Sequence, residues 1–115
     1  MRFSVVVPLY NKENCIRMTL ESVKKQSFKD YEVIVVDDGS TDCSLEEARK
    51  IKSENITIIH QQNQGVSVAR NTGILHAQGQ YIAFLDADDE WEPDYLKTID
   101  HLIEKYPESD MYVTA

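Results

Sequence analysis

The fold of this chain is decided by the ten-residue stretch VIVVDDGSTD at positions 33–42. Its first half is a β-branched run that is apolar on both faces, which is typical of a buried parallel strand. Its second part, at 37–42, is polar and combines three aspartates with the turn residue Gly39. A buried strand that ends in polar residues predicts an α/β sheet with its site at the carboxyl ends of the strands.

The rest of the chain repeats this alternation. Further apolar runs lie at 3–7, 56–59, 81–85 and 111–113. Amphipathic segments with helical periodicity lie at 13–25, 44–52, 66–77 and 93–105. Pro8 is expected to end the first run, and Ser44 and Glu47 are expected to form a capping box. The order predicts an open, mostly parallel, Rossmann-like sheet flanked by helices.

Composition narrows the function classes. With 115 residues, 42% of them hydrophobic, the chain suits one globular domain. The net charge of -8 argues against a nucleic-acid partner, which would require a basic face. No apolar run reaches the roughly 18 residues of a membrane span, and the first run is too short for a signal peptide. Cys15 and Cys43 have no metal-site spacing, so we expect reduced thiols in a cytoplasmic protein.

The densest polar feature is the acidic stretch Asp86-Ala87-Asp88-Asp89, which follows an apolar run directly. Carboxylates packed this closely repel one another unless a cation joins them, and Mg²⁺ or Mn²⁺ prefers oxygen ligands. The alternative is a solvated acidic loop at a helix start. An EF-hand is a poor match, because Trp91 stands where that loop requires glycine.

Two further residues are candidates for ligand binding. Asp38 could accept hydrogen bonds from a ribose hydroxyl or a base N–H, although its segment is also a strand-to-helix turn in which Thr41 or Asp42 caps the next helix. Arg70 lies on the apolar stripe of its helix, either extended along the surface or directed at the acidic edge or a phosphate. Gly73 in the same helix indicates close packing. Neither GxGxxG nor a P-loop is present.

Taken together, four segments resemble the nucleotide-sugar half of family 2 glycosyltransferases, which have the GT-A fold. These segments are 4–11, 33–42, 65–73 and 84–89. The resemblance implies inverting transfer from a UDP- or dTDP-sugar to a carbohydrate or lipid-linked acceptor, with Mn²⁺ or Mg²⁺ as cofactor. It also implies a role in cell-envelope polysaccharide synthesis, in the cytoplasm or at the inner face of the membrane.

The resemblance also implies roles for individual residues. Donor binding is implied for Pro8, Tyr10, Asn11, Asp38, Arg70 and Asp86. Within this set, Tyr10 would lie against the base, and Asp38 would recognise the pyrimidine N–H. Arg70 would lie near the base or the phosphates, and Asp86 near the ribose. Asp88 is implied as the metal ligand.

The family's acceptor half and its general base are expected beyond Ala115, so no catalytic base is assigned within the chain. Residues 1–115 are therefore expected to be the donor-binding part of a longer GT-A domain. Three alternatives remain open. The chain could be a non-catalytic module that binds nucleotide sugars, a phosphohydrolase with an Asp-x-Asp pair, or a receiver domain. The last two normally carry their acidic residues after the first strand, where this chain has Pro8-Leu9-Tyr10-Asn11.

Overall fold

The computed structural model describes residues 1–51 and 53–109, in which strands and helices alternate. The elements are β1 Phe3–Leu9, α1 Ile16–Lys24, β2 Tyr31–Asp38, α2 Ser44–Arg49, β3 Ile56–Gln61, α3 Val66–His76, β4 Tyr81–Phe84 and α4 Tyr95–Lys105. The four strands form one parallel sheet in the order β3-β2-β1-β4. This confirms the predicted fold class. The strand predicted at 111–113 lies outside the described residues, as does Lys52, and α2 ends at Arg49, before its predicted end.

Helices cover both faces of this sheet. The larger core cluster joins alternate residues of β1 and β2, among them Val5 and Val33, to buried residues of α1, α2 and α4. A smaller cluster on the other face joins Ile34 and Val36 of β2 to Ala69 of α3. Right-handed crossovers account for this division, because the chain moves from β1 to β3 in one direction and then returns across the sheet to β4.

Several predicted element ends are wrong. Pro8 does not end β1, because it pairs with Val36 and the strand continues to Leu9. The ladder between β1 and β4 stops at Val6, so the later part of β1 has one edge without a strand partner, where a proline is tolerated. At the other ends, α1 begins at Ile16 and α4 at Tyr95, each two or three residues later than predicted.

The strand β2 extends through Asp37 and Asp38, where a turn was expected. Successive side chains of a strand point to opposite faces, so the two carboxylates separate. Asp37 lies on the face of α1 and α2, fully buried, with its Oδ2 at 2.8 Å from Nδ1 of His60. Asp38 lies on the face of α3, opposite Gln61 of β3. Only Asp38 is therefore directed towards the region where a pocket forms.

Two predictions from composition concern the chain as a whole. Within residues 1–51 and 53–109, every helix is too short or too polar to cross a membrane. Cys15 and Cys43 are both free thiols, as expected from their spacing. Cys43 is exposed, and the carboxylate of Glu13 beside it raises the pKa of its thiol, which disfavours the reactive thiolate.

Close packing of α3 on the sheet depends on Gly73. A Cβ built at this position would lie 2.4 Å from Cγ1 of Val6, a fully buried residue of β1. The small residue therefore sets the distance between α3 and β1, as the sequence predicted. This distance matters for the site, because α3 also carries Val66, Ala69 and Arg70.

We expect Gly73→Ala to destabilise the chain by up to about 2 kcal/mol. Overpacking costs about 1–3 kcal/mol, and the better helix propensity of alanine returns about 1 kcal/mol. The free energy of unfolding is measured by urea denaturation. Val6→Ala removes the methyl groups that the new side chain meets, so the double variant should be more stable than the sum of the single effects predicts. Strict additivity would contradict the direct contact.

Candidate functional site

A pocket of about 280 Å³ lies at the carboxyl edge of β1 and β2 and is bounded by the start of α3. Its lining consists of Pro8, Leu9, Tyr10, Asp38, Asn63, Gly65, Val66 and Ala69. The structure thus brings together three predicted donor-binding residues, Pro8, Tyr10 and Asp38. Tyr10 is 45% exposed and offers an aromatic ring at the mouth of the pocket. An apolar slot with one aromatic ring and one carboxylate suits a flat heterocycle with a polar edge.

The Asp38 carboxylate organises the loop between β3 and α3. Its Oδ1 accepts hydrogen bonds from the Gln61 side chain and the Gln64 N–H, both at 2.9 Å. Its Oδ2 accepts the Gly65 N–H at 3.0 Å and the Asn63 amide at 3.4 Å. A carboxylate has about four acceptor positions, so all are used, and the bond from Asn63 is the longest. Asp38 therefore shapes the pocket wall as well as facing the pocket.

The same hydrogen bonds control the charge of Asp38. Burial raises the pKa of the carboxyl, but the hydrogen bonds from Gln61, Gln64 and Gly65 together lower it by more, so the pKa lies below its ordinary value. At neutral pH the group is a carboxylate that only accepts hydrogen bonds. The complementary ligand group is a donor such as a ring N–H.

Asn11 joins the loop after β1 to the loop after β2. Its φ of 50° is in the left-handed region, which asparagine tolerates better than most residues. Its Oδ1 accepts the Thr41 N–H at 2.8 Å, and its own N–H donates to Ser40 Oγ at 3.0 Å. The side chain therefore holds the Tyr10 loop in place. Direct donor contact by Asn11 stays a prediction.

The predicted capping box at Ser44 and Glu47 is not formed. Ser44 is the first residue of α2, and its hydroxyl accepts the Lys12 N–H at 2.7 Å. The carboxylate of Asp42, one of the two predicted caps, accepts the Ser44 N–H at 2.9 Å instead. Burial raises the pKa of Asp42, but the hydrogen bonds from Ser44 and from the Glu13 N–H together lower it by more, so this pKa lies below its ordinary value. The Ser44 hydroxyl thus has two partners, the neighbouring Asp42 carboxylate, to which it donates, and the Lys12 N–H, 32 residues away in the chain.

The acidic stretch forms a tight turn directly after β4. The Asp89 N–H donates to the Asp86 carbonyl at 3.0 Å. Leu85 and Ala87 are buried in the core, whereas Asp86 and Asp88 are exposed. This alternation anchors the turn through its apolar residues and presents the two predicted ligand-binding carboxylates to the outside.

A polar strip along α1 and just beyond its C-terminal end, formed by Thr19, Ser22 and Gln26, holds the backbone of this region. It bonds to backbone groups of Ala87, Trp91, Glu92 and Leu96 at 2.7–3.1 Å. Thr19 and Gln26 are almost fully buried. Sequence reasoning missed this strip, although polar residues at i, i+3 and i+7 beside the apolar stripe of an amphipathic helix were a visible signal.

Two cations connect the pocket to the acidic turn. Arg70 Nη2 lies 3.6 Å from Asp86 Oδ1, and the guanidinium carbon lies 5.8 Å from the centre of the Phe84 ring. Lys12 Nζ lies 3.6 Å from Asp88 Oδ2. Arg70 follows the pocket residue Ala69 in α3, and Lys12 belongs to the loop that carries Tyr10. The structure directs Arg70 at the acidic edge, which was one of its predicted orientations. Sequence reasoning did not identify Lys12.

The acidic turn fits a hard divalent cation in one respect. Asp86 and Asp88 supply oxygen donors that are exposed. The described residues contain no group of three or more His, Cys, Asp or Glu side chains that could hold a metal by themselves. Mg²⁺ and Mn²⁺ sites of nucleotide enzymes often use one or two carboxylates, with phosphates and water as the remaining ligands. The donor set is therefore compatible with a metal that binds together with a diphosphate.

A larger groove, of about 840 Å³, runs along α1 and the segment 90–93. Its lining includes five glutamates, which are Glu13, Glu21, Glu47, Glu90 and Glu92. Among the residues that the structure describes, the basic ones in its lining are Arg17 and Lys25. An anionic ligand would meet net negative charge there, so we place the site at the smaller pocket and the acidic turn.

Comparison with known sequences gives the family. The model described as Glycosyl transferase family 2 matches residues 4–114. Glycosyltransferase GlyA of Streptococcus pneumoniae is 42% identical over 107 residues, which cover 91% of this chain and 15% of GlyA. The uncharacterized glycosyltransferase YibD of Escherichia coli is 46% identical over 101 residues, which cover 85% of this chain and 29% of YibD. The chain thus spans less than a third of the length of both relatives.

Solved structures agree with this result. TarS of S. aureus in complex with UDP superposes with a TM-score of 0.87 at 31% identity, covering 100% of this chain and 38% of that structure. The mannosyltransferase PcManGT of Pyrobaculum calidifontis, in complex with GDP-Man and Mn²⁺, has a TM-score of 0.83 at 29% identity, covering 89% of this chain and 32% of that structure. Family model, sequence identity and structural likeness coincide, and the chain belongs to glycosyl transferase family 2.

Proposed function

We propose that this chain binds the nucleotide-diphosphate sugar of an inverting glycosyl transfer, and that residues 1–115 form the donor-binding part of a GT-A transferase. The acceptor would be a carbohydrate or lipid-linked hydroxyl. The observation that carries the proposal is the juxtaposition of a partly apolar pocket, which holds an aromatic ring and a carboxylate, with two exposed carboxylates, each paired with a cation. Complexes of TarS with UDP and with UDP-GlcNAc, and of PcManGT with GDP-Man, support this ligand class.

The base is assigned to the pocket. Pro8 and Tyr10 offer surfaces against which a ring can lie, and the aromatic ring contributes stacking energy. Asp38 would accept the ring N–H of a pyrimidine in place of its long bond from Asn63. The favoured donors are therefore UDP- or dTDP-sugars. A guanine-type donor, as in the PcManGT complex, is the main competitor to be tested.

The ribose and the diphosphate are assigned to the acidic turn. Asp86 would face the ribose, Asp88 would hold Mn²⁺ or Mg²⁺, and Arg70 would lie near the phosphates. When bound, such a cation would neutralise charge on the departing nucleoside diphosphate. The chain's own residues bind and orient the donor, and positioning of this kind supplies a large part of the rate enhancement in transfer reactions.

The metal assignment predicts that UDP binding depends on Mn²⁺ or Mg²⁺ and on Asp88. Asp88→Ala should abolish the difference in UDP affinity between Mn²⁺ and EDTA, because the exposed carboxylate would no longer hold the cation. Titration calorimetry measures both affinities. The matched control is Asp89→Ala, which removes the adjacent exposed carboxylate and should keep the dependence. Equal affinity of the parent chain in Mn²⁺ and EDTA would rule the metal role out.

The base assignment predicts that Asp38 provides pyrimidine selectivity. A hydrogen bond to a charged group is worth about 1.5–3 kcal/mol, so Asp38→Ala should weaken UDP by about 10- to 100-fold. GDP affinity should change less, because the larger purine does not place its ring N–H at the position that a pyrimidine N–H takes beside Asp38, and the preference for UDP should be small. Competition titrations with both nucleotides measure this. A variant with the parent's preference for UDP would show that the base is recognised elsewhere.

The lowered pKa of Asp38 predicts a pH dependence. A carboxyl group whose pKa is lower in the folded state stabilises the fold above its unfolded-state pKa of about 3.9, and this contribution disappears as the pH falls through the folded-state value. Asp38→Asn lacks the charge at every pH. The difference in unfolding free energy between parent and variant, from urea denaturation, should be constant above about pH 5 and shrink towards pH 3. A difference that stays constant down to pH 3 contradicts the argument.

A further inference from the structure

Hydrogen bonds fix the backbone of Lys12, whereas its side chain is partly exposed. Its N–H donates to Ser44 Oγ at 2.7 Å, and its carbonyl accepts the N–H groups of Cys15 and Ile16, both at 3.0 Å. Asn11, directly before it, is tied to Thr41. Only the side chain beyond this anchor is able to move, and it is 45% exposed. A lysine so fixed reaches a restricted volume between the Tyr10 loop and the acidic turn.

The ammonium of Lys12 is held loosely at one end of that volume. The distance of 3.6 Å to Asp88 Oδ2 is longer than a charge-assisted hydrogen bond, and the Asp88 side chain is 51% exposed. Exposed ion pairs of this kind contribute little to stability and are separated easily. The pair is therefore suited to exchange its partners when another charge arrives.

The charges of the proposed ligands favour such an exchange. A divalent cation at Asp88 repels the ammonium, because both are positive and share one carboxylate. A diphosphate that binds with this cation brings negative charge to the same place and attracts the ammonium. In a chain with a net charge of -8, few groups are available to balance a diphosphate. Lys12 and Arg70 are the cations paired with the acidic turn among the described residues.

We propose that Lys12 binds the donor diphosphate, and that Asp88 holds the lysine in the ligand-free chain until the divalent cation takes that carboxylate. This inference rests on the proposed function and extends it to a residue outside the predicted site. Lys12 has two opposite effects. It weakens binding of the cation alone, and it strengthens binding of the diphosphate.

The test compares Lys12→Met with Lys50→Met. Lys50 pairs with Glu47 at 3.1 Å and is 58% exposed, so both variants remove one exposed, paired lysine and the same net charge. Lys50 belongs to neither the pocket nor the acidic turn. Three ligands are titrated, namely Mn²⁺ alone by electron paramagnetic resonance, UDP at saturating Mn²⁺ by calorimetry, and uridine by calorimetry. Uridine has the base and ribose of UDP but no phosphate.

We expect Lys12→Met to bind Mn²⁺ severalfold more tightly, to bind UDP about tenfold more weakly, and to leave uridine unchanged. Lys12→Arg should restore most of the UDP affinity, and Lys50→Met should match the parent chain throughout. The opposite signs for Mn²⁺ and UDP would not arise from a general loss of structure, which thermal melting monitors in parallel.

Three results would overturn the inference. Equal UDP affinity of Lys12→Met and Lys50→Met would show that Lys12 does not touch the diphosphate. An equal loss for UDP and uridine would assign the effect to the Tyr10 loop. If the parent chain binds UDP and Asp88→Ala removes its metal dependence, either result refutes only the role of Lys12. If the parent chain does not bind UDP at all, the proposed function fails and this inference fails with it.

Discussion

The parallel pairing of β1 with β2 on one side and β4 on the other is the constraint on which the rest of the site depends. Parallel strands must all end at the same edge, so the sheet itself brings three separate segments of chain together there. The Tyr10 loop, the Asp38 side chain and the acidic turn are the products of this geometry. The hydrogen bonds between neighbouring loops then refine positions that the sheet has already brought close.

Two kinds of electrostatic contact occur at this edge. Asp38 is nearly buried and is fixed by directed hydrogen bonds from four groups, which a ligand would not displace together. The pairs Arg70–Asp86 and Lys12–Asp88 are longer and exposed, and they lack this directional support. The site thus combines a rigid wall at the pocket with exchangeable charges at the turn. Recognition of a flat base requires the first property, and binding of a charged diphosphate requires the second.

The sequence predicts what depends on local pattern. Apolar runs and helical periodicity give the element order, and the polar ends of those runs give Pro8, Tyr10, Asp38, Asp86 and Asp88 as residues of one edge. The errors arise where a residue distant in the chain determines where an element ends or which partner a side chain has. Pro8 stays in its strand because the β4 ladder stops early. The Ser44 hydroxyl accepts a hydrogen bond from Lys12, and Lys12 meets a carboxylate 76 residues further along the chain, so periodicity contained no information on either of these contacts.

The polar strip of α1 has a consequence for the thermodynamics of ligand binding. A loop that becomes ordered only around its ligand loses conformational entropy at that moment, at a cost of about 1–2 kcal/mol for each residue fixed. Here Thr19, Ser22 and Gln26 hold the backbone between Ala87 and Leu96 through hydrogen bonds within the chain itself. The loss is incurred during folding, so binding has only side chains to order. Preorganisation of this kind favours affinity without adding a single contact to the ligand.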